Sequence, residues 1–185
     1  TAIDPGAEIT ARGRQHGTWG HVDAAMAGSA MLLPEMRWMW EGVEGADSIT
    51  INPHKWMGTA LDCSLFLIRD LETLIRVMST NPSYLQSGAD GSSTQYRDWG
   101  IPLGRRFRAL KLWFHLRLEG LESIRGRIRR DLENARRLEQ VIRATRGWVV
   151  VAPVSLQTVC VRHQPGGLEG EQLDRHTLAW VERVN

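Results

Sequence analysis

The stretch Asn52-Pro53-His54-Lys55-Trp56, taken with His21-Val22-Asp23-Ala24-Ala25 upstream, decides the reading of this chain. Lysine is scarce: Lys55 and Lys111 stand against 21 arginines. A lysine between a strand end and a glycine-containing turn therefore calls for a chemical reason. An amine forms imines with carbonyl cofactors, which a guanidinium cannot do. A pyridine-type cofactor of that kind also needs an Asp or Arg partner at its ring nitrogen. Asp23, at the C-terminal end of a strand predicted over residues 19–23, is placed to be that partner. By itself Lys55 also reads as an ordinary solvated lysine, the usual state of that residue; its neighbours reverse the balance.

Further stretches extend the pattern: His21-Val22-Asp23-Ala24-Ala25-Met26-Ala27-Gly28-Ser29-Ala30, Ala46-Asp47-Ser48, Asp62-Cys63, Asn81-Pro82-Ser83-Tyr84-Leu85 and Ile101-Pro102-Leu103-Gly104-Arg105-Arg106-Phe107-Arg108. In this order, and with Asn52 to Trp56 among them, they resemble the aromatic-L-amino-acid decarboxylases. These are group II decarboxylases dependent on pyridoxal 5'-phosphate (PLP), and the likeness is to the bacterial tryptophan or dopa decarboxylase type. It runs along nearly the whole chain.

The resemblance implies an α/β fold: part of a fold-type I PLP-dependent transferase-like large domain over residues 1–120, then a connecting helix and the start of a small α+β C-terminal domain over residues 121–185. It implies that Lys55 holds PLP, that Asp23 keeps the pyridine nitrogen protonated, and that Asn52 and His54 suit its phosphate. Ala25 is small where the ring lies flat. Tyr84 corresponds to a tyrosine on a mobile loop that closes over the neighbouring subunit's active site and delivers a proton to carbon, a role open to a phenol in a closed site. Gly104 matches a position beside the substrate ring, where glycine leaves room for a bulky aryl group. The implied reaction converts tryptophan, dopa, tyrosine or phenylalanine to the arylalkylamine and carbon dioxide, in a homodimer with shared active sites. A related variant makes aryl acetaldehydes and carries phenylalanine in place of Tyr84. A truncated, non-catalytic interaction module is the remaining alternative. Thr1 matches a point well inside the family's large domain and Asn185 a point before its closing strands, so the expectation is a fragment lacking both ends.

The bulk numbers agree with an ordinary globular chain. It has 185 residues, 42% hydrophobic and 24% charged, long enough for a real core. The net charge of +2 leaves no polyanion partner required. Arg125-Gly126-Arg127-Ile128-Arg129-Arg130 is basic, but Glu122, Asp131 and Glu133 interleave with it, as on a solvated helix face rather than a nucleic-acid site. Cys63 and Cys160 lack a disulfide or metal spacing, and the histidines lack ligand spacing, so no metal is expected and a reducing cytoplasm is. No apolar run approaches the ~20 residues that span a bilayer. His21 reads as a core histidine.

Periodicity supplies the elements. A helix is expected from Asp4-Pro5 to about Gly17, another from Pro34 toward Gly42, and strands at 48–52 and 64–68. A helix at 71–78 precedes a polar segment, 81–100, of the kind that forms functional lids. The pattern turns helical from Pro102. Leu121, Ile124, Ile128, Leu132, Ala135, Leu138 and Ile142 recur at spacings of three and four, predicting one long amphipathic helix that stops near Gly147. Strands at 148–154 and 158–162 and a helix at 173–184 complete the chain.

Overall fold

The computed structural model describes residues 3–80, 82–86, 88 and 92–185; Asn81, at the head of the tyrosine-bearing stretch, lies outside them. Residues 5–121 form one compact unit, and residues 122–185 with Ile3 and Asp4 form another.

The first unit is built on a three-stranded sheet in the order β1 (His21–Asp23), β2 (Ser48–Ile51), β3 (Leu65–Ile68). β1 and β2 are parallel, with Asp23 opposite Thr50, and β3 returns antiparallel, with Ile51 opposite Leu65. The parallel pair fixes the site, because both strands end at the same edge of the sheet and ligands of open α/β sheets bind outside the carboxyl ends of their strands. Pro53 has no N–H to continue the ladder, so the chain leaves the sheet there.

Helix α1 (Gly6–Gln15) precedes β1. Its N-cap is Pro5 rather than Asp4, and no side chain caps it. Between β1 and β2 the chain runs through short 3-10 turns, Ala27–Leu32 and Pro34–Trp40. The segment after Pro34 is thus 3-10 rather than α-helical; only seven residues separate Pro34 from the left-handed Gly42, a length that suits the tighter helix. Gly28 is buried, and a Cβ there would lie 2.8 Å from Ile51 Cγ1 and 3.3 Å from Ala24 Cβ. Glycine is what lets this turn lie against the end of β2. Leu33, Ala30, Ala24, Met36, Trp56, Met57 and Cys63 are among the buried apolar groups of this unit.

Helix α2 (Leu71–Met78) is capped by Asp70, whose carboxylate accepts the Thr73 N–H at 3.1 Å. Helix α3 (Ala109–Glu119) begins later than Pro102. Helix α4 (Leu121–Ala144) follows the expected stripe: Ile124, Ile128, Leu132 and Ala135 are buried, while Leu121 and Leu138 at either side are exposed.

In the second unit β4 (Trp148–Val150) pairs antiparallel with β5 (Val161–His163), and α5 (Gly170–Val184) follows. Trp148 meets Trp180 of α5 edge-on at 5.2 Å, and His163 Nδ1 lies 2.9 Å from His176 Nε2. Among the described residues no helix is long and apolar enough to cross a membrane.

Candidate active site

The turn after β2 is a single π-type turn, Pro53–Met57, closed by Gly58 in the left-handed region (φ 85°). The Lys55 backbone breaks its helical path (φ −91°, ψ −114°). Pro53, Trp56 and Met57 are buried, whereas Lys55 is exposed. Burial of its neighbours thus holds the turn and turns the lysine outward. Among the described residues the Lys55 ammonium makes no hydrogen bond or ion pair.

The other sequence-predicted residues of this edge arrive with it. The Asn52 N–H donates to the Ala25 carbonyl at 3.1 Å, joining the turn after β2 to the turn after β1. Asp23 ends β1, and its Oδ1 accepts the Ala25 N–H at 3.0 Å, which leaves Oδ2 open. Ser64 donates its hydroxyl to Asn52 Oδ1 at 2.5 Å, so the Asn52 NH2 group is the half of the amide left to bind something else. His54 is held by Cys63: Nδ1 lies 2.6 Å from the Cys63 carbonyl oxygen and 3.1 Å from its amide nitrogen. Whichever contact the tautomer selects, Nε2 stays available. Asp23, Ala25, Asn52, His54 and Lys55 therefore share one edge, which offers an amine, a carboxylate, an amide donor and an imidazole.

Among the described residues neither Tyr84 nor Gly104 makes a side-chain hydrogen bond or ion pair to that edge. Tyr84 is on a 3-10 turn, Ser83–Leu85, and is 79% exposed. Around Gly104 a Cβ would meet nothing within 4 Å. His21, read as a core residue, is instead exposed at the start of β1, with Nδ1 2.8 Å from Ser48 Oγ.

Sequence reading missed the side chains that fasten this turn from below. Lys111, the second lysine, donates Nζ to the Leu61 carbonyl at 3.0 Å and to the Asp62 carbonyl at 3.2 Å. Arg108 Nε and Nη2 both lie 2.8 Å from Asp62 Oδ2. That hydrogen-bonded guanidinium, helped by Arg106, holds the Asp62 carboxyl well below the usual carboxylate range. His115 Nε2 donates to the Met57 carbonyl at 2.9 Å. Burial pushes the neighbouring Cys63 thiol up, so it is an inert packing group. These contacts cross 45 or more positions of sequence, and no spacing rule signals them.

Residues 2–164 match the family described as the pyridoxal-dependent decarboxylase conserved domain. The chain belongs to that family. Among curated members it is 42% identical over 187 residues to tryptophan decarboxylase 2 of Oryza sativa subsp. japonica, covering all of this chain and 38% of the relative. It is 41% identical, with the same coverage, to the phenylacetaldehyde synthase of Arabidopsis thaliana. Its fold is shared, at a TM-score of 0.91 and 37% identity, with a solved structure of Oryza sativa TDC with PLP and tryptamine, over 98% of this chain and 38% of that one. The chain thus spans under two fifths of the length of these relatives, and it shares the expected α/β fold with the solved structure.

Proposed function

We propose that this chain serves in the PLP-dependent decarboxylation of an aromatic L-amino acid to its arylalkylamine and carbon dioxide. The observation that carries the reading is the inequality of the two lysines: Lys111 is spent on main-chain carbonyls, while Lys55 stands free at the strand edge that also presents Asp23. The residues present fit PLP. Lys55 is the amine that would hold it, Asp23 the carboxylate for its ring nitrogen, Asn52 the amide donor and His54 the imidazole beside its phosphate, and Ala25 the small residue beside its ring. When bound, PLP supplies a carbonyl that captures amino groups and a protonated ring that takes up electrons from a broken bond at Cα.

Each remaining residue has a task in that reaction. Asp23, kept in place by the Ala25 N–H, maintains the positive charge of the ring nitrogen. Tyr84 supplies the proton to Cα after carbon dioxide has gone. Its exposure, and its lack of a partner among the described residues, suit a residue that works in a neighbouring subunit's site, which favours a homodimer with shared active sites. Gly104 leaves room for the aryl group. The division of the chain at residue 121 supports a large-domain portion, 1–120, followed by a connecting helix and the start of a small domain, 121–185. The thiol of Cys160, exposed and unpaired, fits a reducing cytoplasm.

A second reading, oxidation to the aryl acetaldehyde, has support in the near-equal identity to a phenylacetaldehyde synthase. Overall identity does not separate the two. Tyr84 favours decarboxylation, because the oxidative variants carry phenylalanine at the matching position. The test is to incubate the intact enzyme with PLP and a panel of tryptophan, dopa, tyrosine and phenylalanine, scoring amine, aldehyde and carbon dioxide. Amine with stoichiometric carbon dioxide supports the proposal; aldehyde as the main product supports the second reading; neither product on any substrate refutes both.

A further inference from the structure

The side chains beneath the lysine turn form a second feature that the proposed chemistry does not use. Asp62 receives three cations: Arg108 through two nitrogens at 2.8 Å, and Arg106 and Lys111 at 3.6 Å each. Two of these, Arg106 and Arg108, lie on the segment that carries Gly104. The next residue, Cys63, is 1% exposed, and its main chain grips the His54 ring and accepts the His54 N–H at 3.3 Å. Lys111 adds bonds to the carbonyls of Leu61 and Asp62, and His115 takes the carbonyl of Met57, the last residue of the turn.

We infer that Asp62 is a positioning residue that ties the segment bearing Gly104 to the turn bearing His54 and Lys55. The connection runs from Gly104 through Arg106 and Arg108 to Asp62, then through Cys63 to His54 and Lys55. An isolated exposed ion pair does little to hold two segments. Here one carboxylate neutralises three clustered cations, and Lys111 and His115 of α3 also grip the main-chain carbonyls of Met57, Leu61 and Asp62, which follow the lysine. Without the carboxylate, Arg106, Arg108 and Lys111 repel one another and the Gly104 segment loses its anchor. The inference rests on the proposed function for the meaning of Lys55 and Gly104, but the tether itself does not.

Asp62→Asn and Asp62→Ala test it in the intact enzyme by two measurements. The first, amide hydrogen exchange of the cofactor-free protein, reads the tether alone. Exchange within residues 54–63 and 104–111 is expected to rise together, by about tenfold or more, while β4, β5 and α5 keep their rates. The second is the ratio of kcat/KM for tryptophan to that for tyrosine, which does not depend on how much enzyme is folded. A displacement near 1 Å at the reacting groups costs up to about a hundredfold in rate, so the ratio is expected to move by about tenfold, more in Asp62→Ala than in Asp62→Asn. Unchanged exchange in both segments overturns the tether. Raised exchange with an unchanged ratio overturns the positioning role and leaves Asp62 a structural residue. If wild-type enzyme lacks a cofactor on Lys55, the proposed function fails, and the exchange data still decide the tether.

Discussion

The Asn52 amide and the Ala25 carbonyl, 3.1 Å apart, join the turns that follow two parallel strands, and so bring Asp23 and Lys55 to the same edge of the sheet. A carboxylate at one strand end and a free amine four residues past the next is the juxtaposition on which the proposed chemistry depends.

Gly104→Ser is expected to penalise indolic substrates more than phenolic ones. Apart from its chain neighbours, no described residue lies within 4 Å of the added Cβ, so a loss of folding does not account for the effect. A change of one small group in a pocket discriminates by roughly 10- to 200-fold. Equal losses of kcat/KM on tryptophan and tyrosine would remove Gly104 from the ring pocket.

Tyr84→Phe is expected to separate carbon dioxide release from amine formation. The exchange leaves Lys55 and Asp23 in place and removes only the phenol proposed to protonate Cα. The unprotonated carbon then persists long enough to react with dioxygen, and product shifts from arylalkylamine toward aryl acetaldehyde with ammonia and peroxide. All of these are measured on tryptophan under air. Wild-type amine production with no aldehyde would make Tyr84 a packing residue.

The Asp62 carboxyl is held below its ordinary range, first by the hydrogen bond from Arg108, so the folded state takes up its proton less readily than the unfolded chain. Its contribution to stability is therefore complete above the unfolded value of about 3.9 and is lost as pH falls further, through the folded value. The Tm difference between wild type and Asp62→Asn should stay constant from about pH 8 to about pH 5 and shrink only below about pH 4. A difference that vanishes between pH 7 and pH 5 would contradict this assignment.

Gly28→Ala places a methyl group 2.8 Å from Ile51 Cγ1 beside the end of β2, closer than side-chain carbons approach. Overpacking of this kind costs about 1–3 kcal/mol. Urea denaturation of the variant is the check, and an unchanged midpoint would show that the turn after Ala25 is looser than it looks here.

The sequence made this edge legible because its parts are local. Asp23 falls at a strand end, Pro53 forces the chain out of the sheet, and the rarity of lysine singles out Lys55. Helix α4 was legible for the same reason, its buried residues recurring every three or four positions along one stripe. Two things were not. Lys111 and Arg108 reach Asp62 across 49 and 46 positions, and such contacts depend on how α3 packs, which periodicity does not encode. The helix expected from Pro102 starts only at Ala109, because Arg106 and Arg108 are drawn to Asp62 before the helix begins. The roles proposed for Tyr84 and Gly104 come from family resemblance; their exposed surroundings among the described residues carry no sign of them.

The most direct test of the central claim is borohydride reduction of the intact enzyme with PLP, followed by peptide mapping. Lys55 is unbonded at the edge shared with Asp23, and Lys111 is held by two carbonyl oxygens, so the account predicts a reduced pyridoxyl group on the peptide containing Lys55 and none on that containing Lys111. Label on Lys111 with Lys55 unmodified would contradict it.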